Sequence, residues 1–323
     1  EKICNSNNPI EEDSIPKNKV WFKGGVLLAP MVRLGTTPFR VLSLRHGADV
    51  VFTEEIISYK LMTCKRIVNK KLNTIDFISE KDNSLVLRIA EEEKNKIICQ
   101  IGANDPEIAK RAAEVVMNDV IGIDVNMGCP KHFSTHGNMG SNLIYLPDLA
   151  CSILRTLRKT LSKIFLSCKI RIHENLEDTL SFVKRIQDTE IDFYTVHYRT
   201  KFQDSRNKAN WSFIPEIKKV SSIPVFINGD IFCEEDYNII AKYCDGVMIA
   251  RGACHFPYIF RHIKMLKEKN EENDLNLKES NNNIDNNYEE IHDSEIYSKG
   301  KQNEDLVKES TKLSKIIERK YIG

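Results

Sequence analysis

The chain has 323 residues, of which 41% are hydrophobic and 29% charged, an ordinary composition for a globular enzyme. Its formal net charge is +1, which excludes a globally basic protein, so nucleic-acid binding would have to depend on local charge. Nine cysteines form no CxxC pair and no zinc-like spacing, which predicts reduced thiols, an intracellular (cytoplasmic) protein and no metal site. The polar residues 1–20 are unlike a signal peptide, and no apolar run approaches the roughly 20 residues of a membrane span.

Short apolar runs recur along the chain, each separated from the next by a helix-like stretch. Their β-branched and aromatic content is typical of strands buried on both faces. The intervening stretches carry helix signals such as Asp105-Pro106-Glu107, which combines an N-cap, an N1 proline and an acidic first turn. The eight runs predicted as strands are Val26–Ala29, Val50–Phe52, Ile97–Ile101, Ile121–Val125, Phe165–Ile170, Phe193–Val196, Pro224–Ile227 and Gly246–Ile249.

Eight strands alternating with helices fit either a closed (β/α)8 TIM barrel or an open doubly wound sheet. Polar residues stand at or just after the end of nearly every run, and a barrel would gather them around one mouth. The first strand is not followed by GxGxxG, which also disfavours a Rossmann domain. We therefore predict an α/β protein with a TIM barrel over residues 21–266, behind a polar segment at 1–20.

Two regions depart from this alternation. Thr74–Ile78 and Leu85–Ile89 predict a β-hairpin inserted between the second and third barrel strands. Residues 267–305 are rich in Asn, Glu, Lys and Asp and predict disorder, because such a composition buries little apolar surface. Residues 306–323 regain helical spacing, which fits either a short helix or the start of a truncated helical domain.

The strongest local feature is the run Asp124–Lys131, which follows the fourth strand. It places Cys129 in a loop at the barrel mouth, with Asn126 on the same turn and Lys131 close behind. A single cysteine is most often a small buried hydrophobic residue. Mouth loops, however, carry the acids and bases of barrel enzymes, so we predict a chemical role for Cys129.

Charged residues at the ends of the later strands indicate an anionic cofactor. Lys169 and Arg171 alternate on the fifth strand and so point the same way, either toward a neighbouring carboxylate or toward a cofactor that becomes anionic on reduction. His197 ends the sixth strand and is as often structural as functional. Asn228-Gly229-Asp230 and Ala250-Arg251-Gly252 end the seventh and eighth strands, where barrel enzymes commonly bind phosphate.

These residues together resemble the signature set of the tRNA-dihydrouridine synthases, over roughly Val26 to Phe260. The similarity extends to the eukaryotic branch that acts on D-loop position 20, through Val32–Thr36, Gly47–Asp49, Glu54-Glu55, Cys64–Asn69 and Thr74–Phe77. The matching motifs are Leu28–Val32, Asn126–Lys131, Lys169–Arg171, His197–Thr200 and Asn228–Ile231.

The resemblance implies a role for each residue at the mouth. Cys129 would be the general acid. The FMN contacts would be Pro30, Met31, Gln100, Lys169, His197, Asn228, Gly229, Asp230, Ala250 and Arg251. The tRNA contacts would be Asn126 at the target base and Lys131, Arg171, Arg199 and Lys201 at the backbone. Glu54 and Glu55 fit either substrate contacts or solvated charges.

The resemblance also implies a reaction: NADPH or NADH reduces bound FMN, hydride passes to C6 of a uridine in tRNA, and Cys129 protonates C5. We expect a monomer with tRNA as its partner and no metal. Tyr198 stands where the family usually has glycine, which predicts a narrower loop, and the usual helical tRNA-binding domain is barely visible. Two rival functions are another FMN barrel oxidoreductase acting on a small pyrimidine-like molecule and a non-catalytic tRNA-binding protein.

Overall fold

A computed structural model of the protein describes residues 23–135, 137–270 and 272. The twelve strands are β1 (Gly25–Leu28), β2 (Val50–Phe52), β3 (Ile56–Ile57), β4 (Cys64–Asn69), β5 (Thr74–Ser79), β6 (Leu85–Ala90), β7 (Ile97–Gly102), β8 (Gly122–Met127), β9 (Phe165–Arg171), β10 (Phe193–His197), β11 (Val225–Asn228) and β12 (Gly246–Ile249). The helices are α1 (Thr37–Arg45), α2 (Ser58–Leu61), α3 (Pro106–Val116), α4 (His132–Thr135), α5 (Pro147–Thr160), α6 (Leu176–Gln187), α7 (Ile214–Val220), α8 (Glu234–Ile240), α9 (Arg251–His255) and α10 (259–270).

Eight of these strands form a closed parallel barrel in the order β1, β2, β7, β8, β9, β10, β11, β12 and back to β1. Helices lie between the barrel strands, and their apolar faces form one large core with the outward side chains of the strands. Asp105 caps α3 as predicted, because its carboxylate accepts a hydrogen bond from the Ile108 amide at 2.9 Å. The predicted (β/α)8 barrel is confirmed.

The seam between the first and last barrel strands is tightly packed. A Cβ on Gly246 would lie 2.6 Å from the Gly25 carbonyl, so only glycine lets β12 come this close to β1. Two lysines of α10 bind beside this seam. Lys264 binds Asp49, just before β2, at 2.6 Å, and Lys267 donates to the Gly24 carbonyl, just before β1, at 2.7 Å. Helix α10 therefore belongs to the barrel.

The inserted segment is larger than the predicted hairpin. Strands β4, β5 and β6 form a three-stranded antiparallel sheet, of which β5 and β6 are the two strands predicted. Arg88 binds Asp76 in the neighbouring strand with two bonds of 2.6 and 2.7 Å. A buried ion pair of 2.5 Å between Arg40 of α1 and Glu93 ties the end of the insertion to the barrel.

The terminal predictions fall almost entirely outside the described residues. The segments 1–20 and 306–323 lie outside the described residues. Of the segment 267–305, only residues 267–270 and 272 are described. Residues 267–270 are helical and continue α10, so the barrel boundary predicted after residue 266 is too early. Within the described ranges, no helix is both long and apolar enough to cross a membrane.

Candidate functional site

The interior of the barrel changes from apolar to polar between its two ends. Strand register puts Gln100 beside Asp124, Asn126 beside Lys169, and Arg171 beside His197. Since alternate residues of a strand face the same side, these side chains stand above the apolar floor at the carboxyl ends of the strands. The floor consists of Leu27, Ala29, Val50, Phe52, Ile98, Ile121, Phe165, Phe193, Phe226 and Met248.

Asp124 is a buried carboxylate beneath the mouth. It accepts hydrogen bonds from Gln100 Nε2 at 2.8 Å and from Ser167 Oγ at 2.7 Å. Burial raises its pKa to about 6, although those bonds and the charge of Lys169 act in the opposite direction. Asp124 thereby orients the Gln100 amide, the group predicted to meet the edge of a flavin.

The loop after β8 is organised by Asn126. Its Oδ1 accepts hydrogen bonds from the backbone amides of Gly128 at 2.9 Å and Cys129 at 3.0 Å. The Cys129 carbonyl in turn accepts from the Ser141 amide at 2.9 Å, so the loop is held on both sides of the thiol. Asn126 is buried and positions Cys129, a role that the predicted contact with a target base did not include.

The thiol of Cys129 is partly exposed at this mouth. Burial, followed by the negative charge of Glu55, raises its pKa above the ordinary value. The group is therefore a thiol at neutral pH, which is the form that donates a proton.

Lys169 and Arg171 both face the mouth, and Arg171 is held there by hydrogen bonds to loop carbonyls. Burial, and then the charge of Arg171, lowers the pKa of Lys169 to about 8, which leaves it mostly protonated at pH 7. Arg171 is 7% exposed and donates to the carbonyls of Gly128, Thr200 and Gln203 at 2.6 to 2.8 Å. These bonds use Nε and Nη1 to support the loops, and the predicted contact of Arg171 with an RNA backbone stays a prediction.

Arg199 is placed differently from the prediction. It is 2% exposed, and it donates to both carboxylate oxygens of Asp230 at 2.6 Å and to the Asn207 carbonyl at 2.7 Å. Asp230 also binds Arg251 at 2.8 Å and the Ala209 amide at 2.7 Å. Arg199 is thus an internal support and not an RNA-facing cation, and Asp230 holds the arginines in place.

His197 stands among these cations. Burial, followed by the charges of Lys169, Arg171, Arg199 and Arg251, lowers its pKa well below the ordinary value. Its Nε2 lies 3.2 Å from Arg199 Nη1. Since a guanidinium only donates, Nε2 is the acceptor and the proton of the neutral ring is on Nδ1.

A cavity of about 140 Å³ opens where β10, β11 and β12 end. Asn228 is fixed there by its donation to the Met248 carbonyl at 2.7 Å. The Arg251 side chain is 41% exposed and lies 5.1 Å from the centre of the Phe232 ring. The cavity brings together six residues predicted to bind the cofactor, namely His197, Asn228, Gly229, Asp230, Ala250 and Arg251.

Gly229 has a φ of +115°, and an added Cβ would lie 3.0 Å from His197 Cδ2 and 3.2 Å from Ala209 Cβ. We expect Gly229→Ala to lower the free energy of unfolding by about 1–3 kcal/mol, measured by urea titration. The control is Gly128→Ala, whose Cβ would meet nothing closer than 3.4 Å. Equal losses in the two variants would contradict the conformational argument.

The remaining predicted residues lie around the rim. Pro30 and Met31 follow β1 and are half-buried, with the Met31 carbonyl accepting from two amides of the next turn. Lys131 is exposed. Lys201 binds Asn142 and lies 5.5 Å from the centre of the Tyr145 ring and 5.9 Å from that of Phe202. Phe202 itself is 77% exposed.

Tyr198 does not narrow the mouth. Its side chain is 1% exposed and belongs to the core between strands and helices, facing away from the barrel interior. The predicted narrowing of the loop is therefore wrong, because the residue after His197 points outward as strand alternation requires.

Asp124 was not predicted as a site residue, and Glu55 was predicted to be either a substrate contact or a solvated charge. The signal for Asp124 was an acid inside an apolar strand, two positions before Asn126. Glu55 left two readings open, and the structure places it at the Cys129 loop, where Ser134 Oγ donates to it at 2.7 Å. Among the described residues, no three His, Cys, Asp or Glu side chains are grouped so that they could hold a metal ion.

Comparisons with known proteins agree on one family. The dihydrouridine synthase (Dus) family model matches residues 27–321. The tRNA-dihydrouridine(20) synthase [NAD(P)+] of Schizosaccharomyces pombe is 42% identical over 72% of this chain and 51% of its own length. The enzyme of the same name from Saccharomyces cerevisiae is 39% identical over 75% of this chain and 68% of its own length.

The chain thus spans about half of the first relative and two thirds of the second. Among solved structures, DHODH from Eimeria tenella has a TM-score of 0.51 at 14% identity, covering 74% of this chain and 79% of that one, which supports the barrel fold alone. The extent of the family match and the identity to these relatives establish that the chain is a member of the dihydrouridine synthase family.

Proposed function

We propose that the chain is the catalytic part of a tRNA-dihydrouridine synthase that reduces the C5–C6 bond of a D-loop uridine at position 20. The observation that carries this proposal is a partly exposed thiol, Cys129, at the same barrel mouth as Lys169 and a cavity bordered by Arg251. The names of the yeast relatives supply the substrate and the position in it.

The residues at the mouth fit FMN. The cavity after β10, β11 and β12 offers the exposed guanidinium of Arg251 to a phosphate, and Asp230 holds that arginine in place. Gly229 borders the cavity, where a side chain would take up space near His197. Gln100, Lys169 and His197 would then face the ring system, with Pro30, Met31, Asn228 and Ala250 around it.

The bound flavin, reduced by NADPH or NADH, would supply hydride to C6 of the uracil ring. Cys129 would give its thiol proton to C5, and the resulting thiolate would lie near the positive charges of Lys169 and Arg171. The Lys169 ammonium would stabilise negative charge that develops at the cofactor. His197, neutral and protonated on Nδ1, would act only as a hydrogen-bond donor there.

The target uridine would have to leave its stack to reach this mouth. Lys131 and Lys201 would be the cations that meet the RNA backbone at the rim, with Arg171 as a further predicted contact. The exposed ring of Phe202, beside Lys201, would offer a stacking surface to an unpaired base. Binding through such contacts should weaken as salt is raised.

The test is anaerobic. The purified chain is loaded with FMN, reduced with NADPH, and given tRNA that lacks dihydrouridine, and the product is located by mass spectrometry of nuclease fragments. Dihydrouridine at position 20 is the expected result. A chain that binds no flavin even after reconstitution would refute the proposal in favour of a tRNA-binding protein. Reduction of free uridine derivatives but not of tRNA would favour the small-molecule oxidoreductase.

A further inference from the structure

Glu55 lies in the connection between β2 and β3, against the Cys129 loop. Ser134 of α4, fully buried three residues after the exposed Lys131, donates to Glu55 Oε1 at 2.7 Å. On the other side a Cβ on Gly102 would lie 2.5 Å from the same oxygen, so the end of β7 forms a wall around the carboxylate. The side chain is therefore confined between β7 and α4.

The second oxygen of this carboxylate is unusual. Glu55 Oε2 is buried and accepts no hydrogen bond from any residue in the described part of the chain. Cys129 and Asn126 face the carboxylate, and both act to lower its pKa against the larger raising effect of burial. A buried carboxylate oxygen that accepts no hydrogen bond is costly, which singles out this position as a candidate for a role beyond packing.

The charged groups around Cys129 indicate what this role is. From β9, Lys169 and Arg171 both interact with the sulfur and favour its ionised form. The Lys131 amide and the Ser134 hydroxyl also lower the pKa of Cys129, whereas burial, the largest effect, and then the charge of Glu55 raise it. Burial and the charge of Glu55 therefore act together to keep the proton on the sulfur, and a thiolate would have no proton to give.

We propose that Glu55 is a positioning residue that adds to burial in keeping Cys129 in its thiol form against the positive charges of Lys169 and Arg171. Its carboxylate is held in place by the Ser134 hydroxyl and confined by the end of β7 at Gly102. The consequence for catalysis rests on the proposed function, which makes Cys129 the acid. The statement about the ionisation of the sulfur does not depend on it.

The test measures the pH dependence of Cys129 alkylation by iodoacetamide in the full chain. The tryptic peptide 112–131 contains no other cysteine, so mass spectrometry of this peptide reports Cys129 alone. We expect Glu55→Gln to lower the midpoint of Cys129 alkylation by about one pH unit. Alkylation at pH 7 should then be about tenfold faster. Glutamine keeps the shape and can still accept from Ser134.

The matched control is Glu54→Gln, which removes the adjacent acid. Glu54 accepts from the Arg33 amide and is not among the groups that act on Cys129. An unchanged midpoint in Glu55→Gln, or an equal shift in Glu54→Gln, would overturn the proposal. If Glu55→Gln does not fold, the native chain still tests the proposal. A midpoint of Cys129 alkylation below the ordinary thiol pKa of about 8.5 in the native chain would refute it.

A second readout separates this proposal from the proposed function. In tRNA turnover, the alkaline limb of the pH profile should move to lower pH in Glu55→Gln, with activity at pH 6 retained better than at pH 8. A native chain that makes no dihydrouridine, yet shows the shift in alkylation, would refute the function and support the role of Glu55. Dihydrouridine formation without a shift in alkylation would support the proposed function and refute the role of Glu55.

Discussion

Replacing Cys129 by alanine is expected to lower the rate of dihydrouridine formation by about 10²- to 10⁴-fold, the usual contribution of a positioned general acid. The backbone of the loop should persist, because Asn126 accepts from the main-chain amides of Gly128 and Cys129 and does not need the thiol. Reduction of the flavin by NADPH should be unchanged, since that half-reaction requires no proton at C5. Anaerobic single-turnover kinetics measure the two half-reactions separately.

The matched control for this experiment is Cys244→Ala, which removes a thiol just before β12, at the end of the barrel opposite the mouth. It should leave both half-reactions unchanged. If the Cys129 variant formed dihydrouridine at the native rate, the assignment of the acid would be wrong. If it also failed to accept electrons from NADPH, the defect would lie in flavin binding.

Asp230→Asn is the second change with a large expected effect. Asp230 neutralises two arginines, and one of them, Arg199, is buried with a side-chain exposure of 2%. Removing the charge leaves an uncompensated guanidinium inside the protein, so we expect the free energy of unfolding to fall by about 3 kcal/mol. Asparagine tolerates the φ of +56° at this position, so the loss reports the charge and not the backbone.

The same substitution should weaken FMN binding by at least about tenfold, or about 1.4 kcal/mol, because Arg251 loses the carboxylate that orients it. Urea titration and flavin fluorescence give the two quantities. Glu92→Gln, which breaks the exposed pair with Arg45, is the control and should change neither. Loss of stability without loss of flavin affinity would separate Arg251 from phosphate binding.

The barrel could be predicted from the sequence because each of its strands is buried on both faces and therefore reads as a continuous apolar run. Strand β4 was missed for the opposite reason: it is the edge of the small sheet, four of its six residues are exposed, and so it lacks any apolar alternation. The end of α10 was missed because its last residues have the composition of a polar, disordered segment.

The features of the site that follow from a residue's position along a strand could be predicted from the sequence. Residues at strand ends, such as Lys169 and His197, do face one mouth, since direction follows from alternation along a strand. The partners of these residues were not predictable, because they depend on how the loops fold back. Arg171 is bound by carbonyls of the loop after β10, and Glu55 meets Ser134 across 79 positions of the chain.

The seam of the barrel has a consequence for the order of folding during synthesis. The contacts that Lys264 and Lys267 make with the first strand region join residues 215 and 243 positions apart. Strand β1 therefore has no β12 to pair with until almost the whole barrel has left the ribosome, and such distant contacts form slowly. Until then both edges of the growing sheet are open, and an open edge strand can pair with another chain.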